Sequence, residues 1–230
     1  MFDSFLLLCP IFLLAVIPGL TAAAMILLIR EQSDHVAAKA ILGANLRRFP
    51  RAYWRYLAVT AVFGIGNSSN SFLILRTRDL GESLTMTVLI YAMFNFVAAV
   101  TSYPAGYLSD HLGRKKILLA SFAVFLIVYL GFSSISNVWL VAGLFVLYGV
   151  FEAAYRAVGK ALATDFVPAE LRASGVGWYS ATVGLSGLIA SLVGGQLWTH
   201  VGPASTFLFG AVMSAAGIVA AMLLLSQKSR

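Results

Sequence analysis

Gly106-Tyr-Leu-Ser-Asp-His-Leu-Gly-Arg-Lys-Lys-Ile117 is a short polar interruption between two uncharged runs, Leu84–Tyr107 and Ile117–Ile135. Each run is long enough to cross a bilayer, which takes about 20 apolar residues. Neither shows the period-two alternation of a strand, and hydrocarbon tolerates no unpaired strand edge, so both read as helices. Two glycines and an Asp followed by three consecutive cations make the interruption a tight, positively charged turn between antiparallel spans. The same pattern extends in both directions. Further spans are expected at Phe5–Ile29, Tyr56–Leu75, Val138–Ala163, Ala173–Thr199 and Val201–Ser226, separated by the turn-rich segments Arg78–Glu82, Ser133–Asn137 and His200–Pro203. The fold class is therefore all-α, a polytopic membrane protein with seven transmembrane helices.

Composition agrees. The 230 residues are 60% hydrophobic and 11% charged, with a mean hydropathy of +0.89. A soluble domain carries about 25% charged residues, so a soluble enzyme, a disordered tail and a disulfide scaffold are excluded. The pI near 9.8 does not signal nucleic-acid binding, because the cations occupy gaps between apolar runs and do not line a soluble face. Cys9 stands alone, so the chain has no internal disulfide. The first run lacks the basic start and cleavage-like ending of a signal peptide and reads as a retained helix. With the amino terminus outside, 14 of the 16 Lys and Arg fall in inside segments and only Arg76 and Arg78 outside. Positive charge marks the cytoplasmic side, so the carboxyl terminus is expected in the cytoplasm and the protein in the plasma (inner) membrane.

Three parts follow: residues 1–30 as one span, 31–54 as a cytoplasmic interfacial linker and 55–230 as a six-helix unit. In the linker, Asp34 can cap a short amphipathic helix through Val36, Ile41, Leu42 and Leu46. The cluster Arg47-Arg-Phe-Pro-Arg-Ala-Tyr-Trp-Arg55 mixes cations with aromatics, as headgroup-level segments do.

Gly106, Leu108, Asp110, Gly113, Arg114 and Lys115 match, in register, the loop signature G-x-L-x-D-x-x-G-R-[KR] of the major facilitator superfamily, which this chain resembles. An ordinary basic hairpin explains the cations but not the Asp and two glycines at fixed offsets. In physical terms Gly106 lets helices approach, Gly113 turns the chain, Asp110 faces a helix dipole, and Arg114 and Lys115 hold the loop inside. Asp165-Phe-Val-Pro-Ala-Glu-Leu-Arg172, with Asp165, Pro168 and Arg172, resembles the family's second cytoplasmic hairpin. Gly195-Gln-Leu-Trp198 with Gly202 and Phe207 is similar to its closing helix pair. Asn67–Arg76 is similar to the opening helix of its second half, with Asn70 where bacterial members of that subgroup carry an acid. The resemblance implies helices six to twelve of a twelve-helix transporter: one helix, the linker between halves, and the second half, built of two inverted three-helix repeats. It also implies a solute bound between halves, a missing amino-terminal half or second chain as partner, and a latch in which Asp110 and Arg114 reach the opposite half. In this chain alone both are expected to be partly unsatisfied.

Polar groups deep in a membrane are candidates for work because each is costly unless paired. Asn67, Asn70, Asn95, Glu152 and Arg156 are the candidates for a substrate or proton pathway. Asparagines also serve as interhelical hydrogen-bonding glue. Glu152 and Arg156, four residues apart on one helix, can neutralise each other structurally or exchange that pairing for a proton. Gly187, Ser191 and Gly195 form a small-residue strip expected to pack helices closely. His35, His111 and His200 lie in or beside loops without metal-ligand spacing, and no catalytic set, phosphate loop or cofactor motif is present. Two functions follow: proton-driven efflux of a small molecule by alternating access, or a non-transporting membrane scaffold or assembly subunit in which the pathway candidates tolerate substitution.

Overall fold

The computed structural model describes residues 48–225 together with Val16, Leu20 and Thr21. The span expected at Phe5–Ile29 and most of the linker lie outside the described residues, as do Lys228 and Arg230. The chain divides into two compact units, residues 1–43 and residues 44–230.

Among the described residues all regular structure is helical. The chain runs through α1 (Arg51–Gly66), α2 (Ser71–Asp79), α3 (Leu84–Leu112), α4 (Arg114–Ser134), α5 (Val138–Asp165), a 3-10 turn (Ala169–Leu171), α6 (Arg172–His200) and α7 (Pro203–Leu225). Six helical segments are long and apolar enough to cross a membrane, α1 and α2 together making the first. Turns fall where the polar interruptions stand. Gly81, Gly113 and Gly202 take positive φ of 87°, 97° and 129°, which side chains with a Cβ disfavour. Ser83 and Asn137 cap the helices that follow: Ser83 Oγ accepts from the Met86 N–H at 3.1 Å, and Asn137 Oδ1 from the Trp139 N–H at 2.9 Å.

The first span departs from the expected single helix. Its helix is interrupted at Asn67–Asn70, near the middle of Arg51–Asp79, with Asn67–Ser69 outside any helix and Asn70 already in helical dihedrals as the N-cap of α2. Gly64 and Gly66 are poor helix formers, and Asn and Ser side chains compete for backbone groups, so the polar run ends α1. Freed amides must find partners inside the protein, because hydrocarbon offers none. The Asn67 N–H returns to Gly64 O at 3.1 Å and the Ser68 N–H to Gly66 O at 3.1 Å. The Ser69 N–H reaches Ser191 Oγ on α6 at 3.3 Å. At its other end α1 begins at Arg51, taking in residues that read as linker. Tyr53 is fully buried and donates to Gly175 O on α6 at 2.6 Å.

The core is aromatic and lies among α1, α4, α5 and α7. Phe63 stacks on Phe122 with centroids 3.9 Å apart, and Phe125 on Tyr129 at 3.8 Å. Phe132, Phe145, Phe151 and Phe207 are fully buried around them. Lipid is as apolar as these rings, so dispersion and close fit, not burial from water, favour the assembly. Glycine supplies the fit. A methyl at Gly66 meets Met213 Cβ at 2.6 Å and Gly210 O at 2.9 Å, and one at Gly149 meets Phe94 O at 2.9 Å. α1 packs on α6 and α7, whereas α5 packs on α3 and α4, so each opening helix lies against the later helices of the other trio.

The expected small-residue strip is rotated by one residue. The buried line on α6 is Ser186, Ala190 and Gly194, against which Gly64, Thr206 and Phe72 pack. A methyl at Gly187 touches nothing within 4 Å, one at Gly195 only reaches Phe72 at 4.0 Å, and Ser191 serves the broken helix instead. Gly106 is a second correction: its Cβ position is open, so no helix approaches it within this unit. Gly66→Ala is expected to cost about 1–3 kcal/mol through overpacking, and Gly187→Ala to stay within about 0.5 kcal/mol of the parent. Reversible denaturant titration in mixed micelles measures both; equal effects would refute the displaced seam.

Candidate functional site

Two polar groupings stand out, one at an end of the bundle and one between its helices. At the end, Arg114 opens α4 immediately after Gly113, whose positive φ folds α3 back over α4. Its Nη1 donates to Asp165 Oδ1 at 2.6 Å and to Ala161 O at 3.2 Å, and its Nη2 to Asp110 Oδ1 at 3.2 Å. Lys115 Nζ donates to Leu225 O, at the last described turn of α7, at 2.7 Å, where the helix dipole favours a cation. The two loop segments singled out in the sequence therefore meet, and the end of α7 joins them. The expectation that Arg114 is left wanting in this chain is overturned: it bridges two carboxylates and a carbonyl. Among the described residues Asp110 pairs with Arg114, and its side chain stays largely exposed. Leu108 is exposed, Pro168 precedes the 3-10 turn, and exposed Arg172 starts α6.

The second grouping is a cleft of about 450 Å³ lined by Asn70, Tyr91, Phe94, Asn95, Ala98, Ser102, Glu152, Ala153, Arg156 and Ala157. This volume lies in the range of small-molecule sites, about 300–1,000 Å³. Four of the five pathway candidates meet here, from three stretches of chain. Asn67 is not among the lining residues; it ends α1 through its backbone. α3 and α5 cross closely at Gly149, and the cleft lies on the side where Ala98, Ser102, Ala153 and Ala157 leave room between them.

Asn70, Asn95 and Glu152 are each held by a hydrogen bond. Asn70 stands at the N-cap of α2 but makes no capping bond, its Oδ1 accepting instead from the Tyr148 hydroxyl at 2.7 Å. Tyr148 is fully buried against Phe94 and Phe151, so it fixes the amide from behind. Asn95 donates through Nδ2 to Tyr91 O, one turn back, at 2.8 Å. The Arg156 Nε–H donates to Glu152 Oε1 at 2.5 Å. Glu152 is nearly enclosed, its side chain 12% exposed, while that of Arg156 is 75% exposed. Tyr148, Tyr91 and the break at Asn67–Asn70 were not singled out in the sequence. A polar run preceded by two glycines was the available signal for the break; nothing short of the fold marks which tyrosine backs Asn70. Among the described residues no group of three or more His, Cys, Asp or Glu could hold a metal ion.

The Arg114 bridge is half-exposed and solvent-screened, so it is expected to stabilise by about 1 kcal/mol. A double-mutant cycle of Arg114→Gln with Asp165→Asn should return a coupling of about 0.5–1 kcal/mol, and the Asp110→Asn cycle less, since that bond is longer. Additive effects at Asp165 would remove the bridge from the account.

Comparison with known proteins adds the ancestry. The family model of the Major Facilitator Superfamily matches residues 56–230. An uncharacterized MFS-type transporter of Methanocaldococcus jannaschii is 30% identical over 221 residues, which is 94% of this chain and 54% of the relative. The MFS-type transporter YqjV of Bacillus subtilis is 30% identical over 92 residues, 40% of this chain and 22% of that protein. The tetracenomycin C resistance and export protein of Streptomyces glaucescens is 28% identical over 151 residues, 65% of this chain and 28% of that protein. The chain thus spans about half the length of the archaeal relative and less of the other two. With the family model covering its six described spans and its relatives named as transporters, this multi-pass membrane protein belongs to the major facilitator superfamily, a family of transporters and not of enzymes.

Proposed function

We propose that the chain supplies the second six-helix half, with one preceding helix, of a secondary transporter that moves a small molecule by alternating access, coupled to protons. The observation that carries this reading is the cleft. Asn70, Asn95, Glu152 and Arg156 come from α2's entry, α3 and α5 to line one cavity between spans, and membrane-embedded polar groups that share a cavity mark solute and ion paths. A carboxylate paired with a cation can trade that pair for a proton as access alternates. Export is the direction we propose, in keeping with the resistance and export role named for the Streptomyces relative.

The partner is a matching first half, on the same polypeptide or on a second chain, within the lipid bilayer of the plasma membrane. α3 and α6 are the least buried spans, and Phe96, Val100, Tyr103, Leu185, Leu188 and Leu192 offer the apolar surface against which such a half would rest. The Arg114 bridge and the Lys115 bond gather the basic hairpin after α3 and the Asp165–Arg172 hairpin at the end of the unit where α7 finishes. This suits the charge asymmetry that puts the amino terminus outside and the carboxyl terminus in the cytoplasm.

The test is proton-coupled flux in everted vesicles containing the chain with a first half, read with a pH-sensitive dye against a panel of small organic ions. Glu152→Gln is expected to lower the coupled signal by at least about tenfold, and Asn70→Leu or Asn95→Leu to weaken solute dependence, at equal protein levels. Unchanged flux in all three variants would sink the transport reading of the cleft and favour a scaffold.

A further inference from the structure

The ion pair in the cleft is lopsided, and its lopsidedness bears on the charge of what enters. Glu152 sits in the wall, whereas Arg156 projects, with side-chain exposures of 12% and 75%. They meet at a single point, Arg156 Nε on Glu152 Oε1. Among the described residues, Nη1 and Nη2 of Arg156 have no partner. The charge facing the cleft is therefore positive, and the acidic charge behind it is already engaged. A planar pair of N–H groups fits the edge of a carboxylate or phosphate. A cationic ligand would have to draw Glu152 away from Arg156 and leave the guanidinium unpaired beside it, a costly exchange.

The surroundings add a second donor and a place for an apolar body. Asn70 commits Oδ1 to Tyr148, which leaves its Nδ2 hydrogens to donate into the cleft. Tyr91 and Phe94, with ring centroids 5.3 Å apart, form an aromatic wall on α3. Resting on the transport reading above, we infer that the cleft selects small organic anions, with the anionic group on the free fork of Arg156 and the apolar body against Tyr91 and Phe94. The same chemistry could be met by the phosphate of an anionic lipid, so the test separates the two.

Benzoate, benzylammonium and benzyl alcohol share one ring and differ in charge. Their binding to the full-length chain in phosphatidylcholine nanodiscs can be followed by equilibrium dialysis. Benzoate should bind on the order of tenfold more tightly than either other probe. Arg156→Gln should lose at least about tenfold, Arg156→Lys should lose less because it keeps the charge but not the fork, and Glu152→Gln should tighten benzoate binding, because it removes the carboxylate that competes for Arg156. Unaltered helical circular dichroism in each variant guards against misfolding. Equal binding of the three probes, or benzoate affinity indifferent to Arg156→Gln, overturns the inference. Benzylammonium binding that Glu152→Gln abolishes would also overturn it, while leaving the cleft a solute site. Absence of binding by any probe would overturn the inference, whereas the transport reading stands or falls on the flux assay with a first half present. In phosphatidylglycerol nanodiscs the benzoate affinity should persist; its loss there, with Arg156 intact, would give the anion site to lipid and overturn the solute assignment.

Discussion

A helix interrupted at Asn67–Asn70 in the middle of a membrane span is the constraint to which the surrounding structure answers. A peptide group freed from its helix in hydrocarbon costs several kcal/mol unless another group takes it up. The break at Asn67–Asn70 is tolerated because α6 brings Ser191 to the Ser69 amide, while Tyr148 on α5 holds the Asn70 side chain. Those contacts fix α6 and α5 relative to the first span. They also place Asn70 on the cleft, so one local departure from regularity both ties helices together and furnishes a polar wall.

Around that break, stability rests on contact quality. Apolar burial gives little net advantage over lipid, so glycine at Gly64, Gly66, Gly149 and Gly210 brings backbones close enough for dispersion to accumulate. Tyr56 donates to Gly159 O at 2.8 Å, Thr206 to Gly194 O at 2.8 Å and Ser214 to Phe122 O at 2.9 Å. Such bonds join helices through backbone carbonyls, which fixes axial register as well as distance. The charged end adds a different kind of tie, with Arg114 and Lys115 linking three helix termini that sequence order keeps far apart.

How much of this could be read from the chain depended on the length scale of each feature. Five described spans needed only a count of uncharged residues between polar gaps, and three of the turns fell at glycines inside those gaps, Gly81, Gly113 and Gly202. The first span escaped that method because hydropathy averages over a window wider than the break at Asn67–Asn70. Gathering Asn70, Asn95, Glu152 and Arg156 was legible in outline, since a polar residue in an apolar run has few inexpensive places to be. The facing of α6 was not: neighbouring positions differ by about 100° around a helix, and both the Gly187 and the Ser186 strips are small. Only the neighbours decide between them. Gly106 failed for a related reason, because a glycine's fit depends on what lies opposite. Arg114 was expected to look outward for a partner, yet Asp165, distant in sequence, is supplied by the same bundle.

The two tyrosine bonds that anchor α1 carry a consequence for how the protein is made. Tyr53 finds its acceptor 122 residues later in the chain and Tyr56 finds its own 103 residues later. At about 5–20 residues per second of synthesis, α1 waits roughly 5–25 s in the bilayer before either phenol can be satisfied. During that interval α4 can reach it through contacts such as Phe63 on Phe122, but neither phenol has its native acceptor. The nascent chain is thus most exposed to mispairing before α5 and α6 emerge, and a pause in translation upstream of Gly159 would lengthen the period in which the first span has no permanent place.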